Sequence, residues 1–348
     1  VTVTDPEARP DAVPDDDVHQ NNAPTVILAG DATPDAPPAA PPRRVVITAP
    51  GAYDHLDEET YHRDPVPTGS LSSSGARKLL APYTPAHFHY QRTHPEPAGK
   101  ARELGSAAHG RVLGIGAEIV ECPFPDWKKG EAQKAAKEAR AAGKIPLLTK
   151  QVQQVDAMAA ALQEHPMARA LLEPRSGRPE VSLFALDEET EVMRRARVDF
   201  LPDPDEQGRV IIVDYKTTIK AHPMSVTKSV HDFGYYQQDA WYRDVVAALG
   251  LSPYADPVMV FIFQEKDPPY LVNCVQLEPD AVEWGRTRNR KAIDVFRQCT
   301  ENDYWPGYPP NITSVGLPGY ADKQLNDAYD RGDFTTAADL DHHTRGAA

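Results

Sequence analysis

Apolar positions along this chain fall into two patterns. Val210-Ile211-Ile212-Val213 and Val258–Phe263 are continuous runs of strand length, the pattern of strands covered on both faces. Glu180–Leu186 instead alternates apolar and polar residues, as a strand with one buried face does. Arg44–Thr48 and Tyr270–Leu277 read as further strands. Helical spacing follows the serine run Ser70–Ser74, and Pro85–Arg92 opens with a proline suited to a first helical turn. Helices are also expected around Gly105–Leu113, across Trp127–Lys150, over 151–172, from Asp232 to about Leu249, and over Pro279–Cys299. The order predicts an α/β fold, a mixed central sheet with helices on both faces. No internal repeat is visible.

Composition changes that picture at the ends. Residues 1–43 are rich in Pro, Asp and Ala without periodicity and are expected to be a disordered acidic tail. A folded domain is expected over 44–320, with a flexible tail over 321–348. The formal charge is −14, and the first 43 residues hold eight acids against Arg9 and Arg43, a net −6. The remainder still carries −8, so a phosphate partner requires local clustering of basic groups. Lys128, Lys129, Lys134, Lys137 and Arg140 form such a cluster. It reads either as a solvated helix face or as a phosphate-contacting surface. Cys122, Cys274 and Cys299 are widely spaced, which leaves no disulfide framework or four-cysteine cluster and fits a reducing cytoplasm. No apolar run is long enough for a membrane helix, and no membrane partner is expected.

The chemistry concentrates in Met193–Thr218, two strands joined by a polar turn containing Gly208. Asp199 lies near the end of the first strand; Asp214 and Lys216 lie near the end of the second and share a face. Carboxylates are the ligands magnesium prefers, and phosphodiester hydrolysis needs a hard cation and an activated water. Asp199 and Asp214, with the Tyr215 carbonyl, form a candidate metal set, and Lys216 could orient the water. The same residues also read as an ordinary ion pair at a strand end. A second acid-x-Lys triplet, Asp126-Trp127-Lys128, lacks the preceding buried strand. His109, among small residues on a helix, is by itself either a half-buried structural histidine or a group brought to the strand ends. The serine run reads more simply as capping and turn than as a nucleophile.

Several stretches together resemble the RecE-type (exonuclease VIII) branch of the PD-(D/E)XK nucleases. They are Glu59–His62, Ser70–Leu80, Leu104–His109, Arg195–Asp199, Val213–Thr218, Gln238–Tyr242 and Trp305-Pro306. The resemblance spans roughly 48–320. It implies that His109, Asp199 and Asp214 bind metal and that Lys216 is the water-handling base. It further implies that Glu180 serves metal or water, and that Gln238 and Tyr242 face the scissile phosphate. Arg195 and Arg197 become candidate DNA contacts beside the lysine cluster. The implied protein is a Mg2+-dependent exonuclease, with Mn2+ as a substitute, that degrades the 5′ strand of double-stranded DNA ends. It would leave 3′ single strands for an annealing protein, and it would be a homo-oligomeric ring. Val198 stands where that family has proline, a change in backbone rigidity rather than in ligands.

Other readings are weaker. An iron–sulfur nuclease needs four cysteines, and a helicase-coupled one needs a phosphate-binding glycine loop that this chain lacks. A zinc site from His87, His89 and His94 has no standard spacing. A non-catalytic DNA-end or partner-binding scaffold would keep the fold without the chemistry, and a PD-(D/E)XK nuclease of other DNA specificity would keep both.

Overall fold

The computed structural model describes residues 45–94 and 100–334. The expectations for 1–43 and for the chain beyond 334 lie outside the described residues. In chain order the first elements are β1 (Gly51–Tyr53), α1 (Glu58–His62), β2 (Ser70–Ser72), α2 (Ser73–Leu79), α3 (Pro85–Thr93) and α4 (Lys100–Leu113). Next come β3 (Ile119–Cys122), α5 (Gly130–Ala141), β4 (Ile145–Leu148), α6 (Thr149–Glu164) and α7 (Pro166–Leu171). The central strands β5 (Gly177–Leu186), β6 (Met193–Pro202) and β7 (Ile211–Thr218) follow consecutively. The remainder is α8 (Pro223–Asp232), α9 (Tyr235–Ala248), β8 (Val258–Glu265), β9 (Val272–Val275), α10 (Pro279–Asn302) and α11 (Gly319–Asp330).

Seven strands form one mixed sheet in the order β1-β5-β6-β7-β8-β9, with β2 also paired to β6. The β7–β8 and β2–β6 pairs are parallel and the other pairings antiparallel. The sheet is covered on both faces, as the apolar runs required. Ile212, Phe261 and Phe263 pack with α2, α9 and α10, while Val213, Tyr215 and Ile262 pack with α4, α6 and α7. That alternation along β7 and β8 is the period-two geometry of a strand buried on both sides.

Local chemistry explains several boundaries. Ser72 Oγ accepts the Gly75 N–H at 3.2 Å, so the serine run caps α2 as its sequence predicts. Gly234 sits in the left-handed region between α8 and α9, where a Cβ would meet Arg77 Cδ at 2.7 Å. Gly285 lets α10 approach α9 closely, because a Cβ there would lie 2.1 Å from the Tyr236 carbonyl oxygen.

Some elements differ from the sequence pattern. Val45–Thr48 is not a strand; Ile47 is buried and donates its N–H to Pro65 O, and the first strand forms at β1. Trp127–Lys150 is not one helix but α5 followed by β4, because the Gly143 turn has a positive φ. The Tyr270–Leu277 strand shortens to β9. Helices α8 and α11 form where the sequence pattern predicts no element, and α11 runs from the end of the expected domain into the stretch expected to be a tail.

Candidate metal-dependent phosphodiesterase site

The site forms where β6 and β7 part. β5 occupies one edge of β6 along its length, so β2 and β7 must share the other. β2 ends opposite Arg195, and the only β6–β7 register pair is Phe200↔Val213. Between them, β6 groups find partners other than a strand. The Arg195 carbonyl accepts the Trp241 indole N–H at 3.0 Å, and the Arg197 carbonyl accepts the Tyr242 phenol at 2.8 Å. The Asp199 carboxylate takes the Tyr215 N–H at 2.8 Å. The splayed strands leave backbone groups that must still be satisfied, and α9 and Asp199 satisfy them.

Asp199 and Asp214 stand at this fork. Asp214 Oδ1 accepts Gln238 Nε2 at 2.5 Å, and Asp214 Oδ2 lies 2.5 Å from Lys216 Nζ. Asp214 and Lys216 therefore do share a face of β7, as their spacing predicts. Asp214 is buried, and the Lys216 ammonium is the charge that faces its Oδ2. His109 reaches the fork from α4, whose small residues Ala107 and Ala108 are buried; a Cβ on Gly105 would lie 3.6 Å from Thr217 Oγ1 of β7. His109 Nε2 is 2.6 Å from the Tyr215 carbonyl oxygen and 3.5 Å from Asp199 Oδ2.

Glu180 completes the arrangement from β5. It falls between the register pairs Pro179↔Phe200 and Val181↔Val198, opposite Asp199, with a φ of 53°. A non-glycine residue in the left-handed region inside a strand carries backbone strain of roughly 1–2 kcal/mol, which its surroundings must offset. Arg197 does so: its Nε donates to Glu180 Oε2 at 2.6 Å, while its Nη1 donates to Leu56 O and Ser182 Oγ, each at 2.8 Å. His109, Glu180 and Asp199 each present one ligand atom within 4.8 Å of the others.

The electrostatics suit a cation. Burial raises the Asp199 carboxyl above its ordinary range, and the Asp214 charge raises it further, against His109 and Lys216. Glu180 is likewise raised, by burial and then by Asp199, with Arg197 opposing. Burial alone would lower the Lys216 ammonium, but Asp214 and Asp199 outweigh it and hold it above its usual value. From this position Lys216 Nζ can donate hydrogen bonds to a water or a phosphate oxygen.

The structure engages several of the other sequence-derived candidates within the fold. Tyr242 gives its hydroxyl to the Arg197 carbonyl rather than offering it to a substrate. Arg197 is bound up with Glu180, and Arg195 with Asp64 Oδ2 at 2.9 Å and Ser70 Oγ at 2.7 Å, so both guanidinium groups are engaged within the fold. Arg140 is paired to Glu103, and Lys134 has Glu138 at 3.9 Å; Lys128, Lys129 and Lys137 are exposed around the start and on the outside of α5. Among the described residues His87, His89 and His94 form no cluster that could hold a metal, in keeping with their spacing; His89 stacks on Trp305 and His94 on Tyr90. The Asp64 hub, which ties Ser70, Arg92 and Arg195 together, carried no signal in the sequence.

A sheet that forks between two acid-bearing strands, with an Asp-x-Lys on the buried one, defines the PD-(D/E)XK nuclease fold. The chain belongs to the DUF3799 family, described as a PDDEXK-like domain of unknown function, whose model matches residues 72–315. Among solved structures, it is similar to a Eubacterium rectale protein provisionally described as an exonuclease. That likeness has 11% identity, covers 81% of this chain and 98% of the other, and has a TM-score of 0.48. A protein designated SSO0001 is also similar, at 11% identity, over 57% of this chain and 85% of that one, with a TM-score of 0.24. No curated protein matches the chain in sequence. Among the described residues, no helix is long and apolar enough to cross a membrane.

Proposed function

We propose that this protein is a divalent-metal-dependent exonuclease acting on ends of linear double-stranded DNA, of the RecE type. The observation that carries the reading is the convergence of His109, Glu180 and Asp199 beside the Asp214–Lys216 pair at a forked sheet. His109, Asp199, Asp214 and the Tyr215 carbonyl are the proposed metal ligands, with Glu180 as a further carboxylate. Their hard oxygen donors and one imidazole suit Mg2+, or Mn2+ in its place. The bound cation would neutralise charge developing on the phosphate oxygens.

The remaining steps belong to this chain's own groups. Gln238 holds the Asp214 carboxylate in one orientation through Oδ1. Lys216, kept charged by Asp214 and Asp199, donates to the attacking water or to a phosphate oxygen and fixes it in line. Arg197 keeps Glu180 turned into the fork. Degradation of the 5′ strand, assembly as a homo-oligomeric ring, delivery of the 3′ strand to an annealing protein and a cytoplasmic setting complete the proposal.

The test uses linear duplex DNA labelled at either 5′ or 3′ ends, with Mg2+, comparing wild type and Lys216→Ala. Early release of the 5′ label by wild type alone is expected. Equal activity in the variant, or cutting of closed circles, would overturn the reading.

A further inference from the structure

We infer that residues 219–233, the loop and helix α8 that follow the Asp-x-Lys strand, form the surface on which a DNA strand's phosphate backbone lies as it reaches the site. The inference rests on the nuclease reading above and adds where the substrate is held.

Topology places this segment on the rim of the fork. It begins three residues after Lys216 and ends at the Gly234 turn that launches α9. The first residue of α9, Tyr235, sets its ring 5.3 Å from Lys216 Nζ, and Gln238 one turn later reaches Asp214. Both ends of the segment are thus tied to site residues. Its inner side is also fixed: Ala221 N–H donates to Glu265 Oε1 at 2.9 Å, the Ala221 carbonyl accepts Asn273 Nδ2 at 2.8 Å, and Val226 is buried. A rigid rim of this kind can hold a strand in register with the reacting groups.

Its outer side has the chemistry of a nucleic-acid contact. The segment's only carboxylate is Asp232, which lies 3.3 Å from His231 at the far end of α8, in a chain whose formal charge is −14, and the stretch before it carries Lys220, His222 and Lys228. Lys220 and Lys228 are exposed and form no ion pair among the described residues. Arg140, Arg195 and Arg197 are, by contrast, committed to carboxylates of the fold. Between the two lysines Met224 is 78% exposed, and Ile219 and Phe233 stand exposed at the segment's ends. Cations for phosphates beside apolar side chains for sugar and base faces are what a strand-binding rim requires. A basic apolar helix can also lie on an anionic membrane. Its attachment at both ends to the metal-site residues favours DNA.

The test compares Lys220→Ala/Lys228→Ala with Lys134→Ala/Lys137→Ala on α5. Fluorescein-labelled linear duplex with a short single-stranded end is titrated by anisotropy in calcium, with the probe checked intact on a gel. The α8 pair should weaken binding about tenfold at about 100 mM salt and reduce the salt slope by roughly two, as two lost phosphate contacts would. The α5 pair should stay within about twofold of wild type. No loss in the α8 pair, equal loss in both pairs, or an unchanged salt slope would overturn the inference while leaving the nuclease reading intact. Wild type that binds phosphatidylglycerol vesicles but not DNA would overturn both.

Discussion

Arg197 Nε lies 2.6 Å from Glu180 Oε2, across the β5–β6 pair from a glutamate whose backbone is in the left-handed region. The guanidinium thereby holds a carboxylate toward the fork that its own strand geometry would not favour. Replacing Arg197 with Met should free Glu180 and weaken Mn2+ binding by roughly tenfold, the scale of an outer-sphere partner. Arg197→Lys should recover part of that affinity. Titration of Mn2+ followed by electron paramagnetic resonance reads the effect, with circular dichroism as the check on folding. Unchanged affinity in the Met variant would remove Glu180 from the proposed ligand set.

Tyr242 separates a structural role from a chemical one. Tyr242→Phe leaves the Arg197 carbonyl without its donor, which should cost about 1–2 kcal/mol in chemical denaturation. Turnover on linear DNA should stay within a few-fold of wild type. A collapse in turnover with unchanged stability would instead place the phenol at the phosphate.

The α9–α10 contact sets the position of Gln238 and tolerates no side chain at Gly285. Gly285→Ala puts a methyl group against the Tyr236 carbonyl, 2.1 Å from its oxygen, and should destabilise by roughly 2–3 kcal/mol. Gly105→Ala, with its nearest atom at 3.6 Å, serves as the tolerated comparison. Urea midpoints of the two variants decide between them.

A pH-dependent contribution is expected from Asp187, at the turn between β5 and β6. Burial pushes its carboxyl up, but hydrogen bonds from Thr190 and from Arg290 outweigh burial and hold it below its ordinary value. Arg290 Nη1 reaches both oxygens, at 3.0 and 2.9 Å. A carboxyl depressed in the fold contributes stability above its unfolded pKa and loses it as pH falls through the folded one. Asp187→Asn should therefore lose about 1–2 kcal/mol at neutral pH. The gap from wild type should narrow below roughly pH 4. Denaturation midpoints across that range test the sign.

The doubly covered sheet is legible in the sequence, because apolar runs at Val210–Val213 and Val258–Phe263 require cover on both faces, and the order of strands and helices makes that sheet mixed. The sequence also determined that Asp214 and Lys216 share a face, since the strand period is two. Local turn chemistry placed α2 and α3. The single-helix reading of Trp127–Lys150 failed because composition does not reveal that Gly143 turns the chain into β4. α8 has little sequence signature because it buries only Val226 and leaves Met224 exposed. Only the tertiary structure decided which charged groups are free. Arg195 and Arg197 look like phosphate contacts in sequence, yet their partners, Asp64 and Glu180, come from elsewhere in the chain. Likewise, His109 lies 90 residues before Asp199 and meets it only because α4 packs against the sheet beside β7. Strand periodicity is a property of neighbours along the chain and can be read directly. Charge pairing depends on which distant segments the fold brings within a few ångströms.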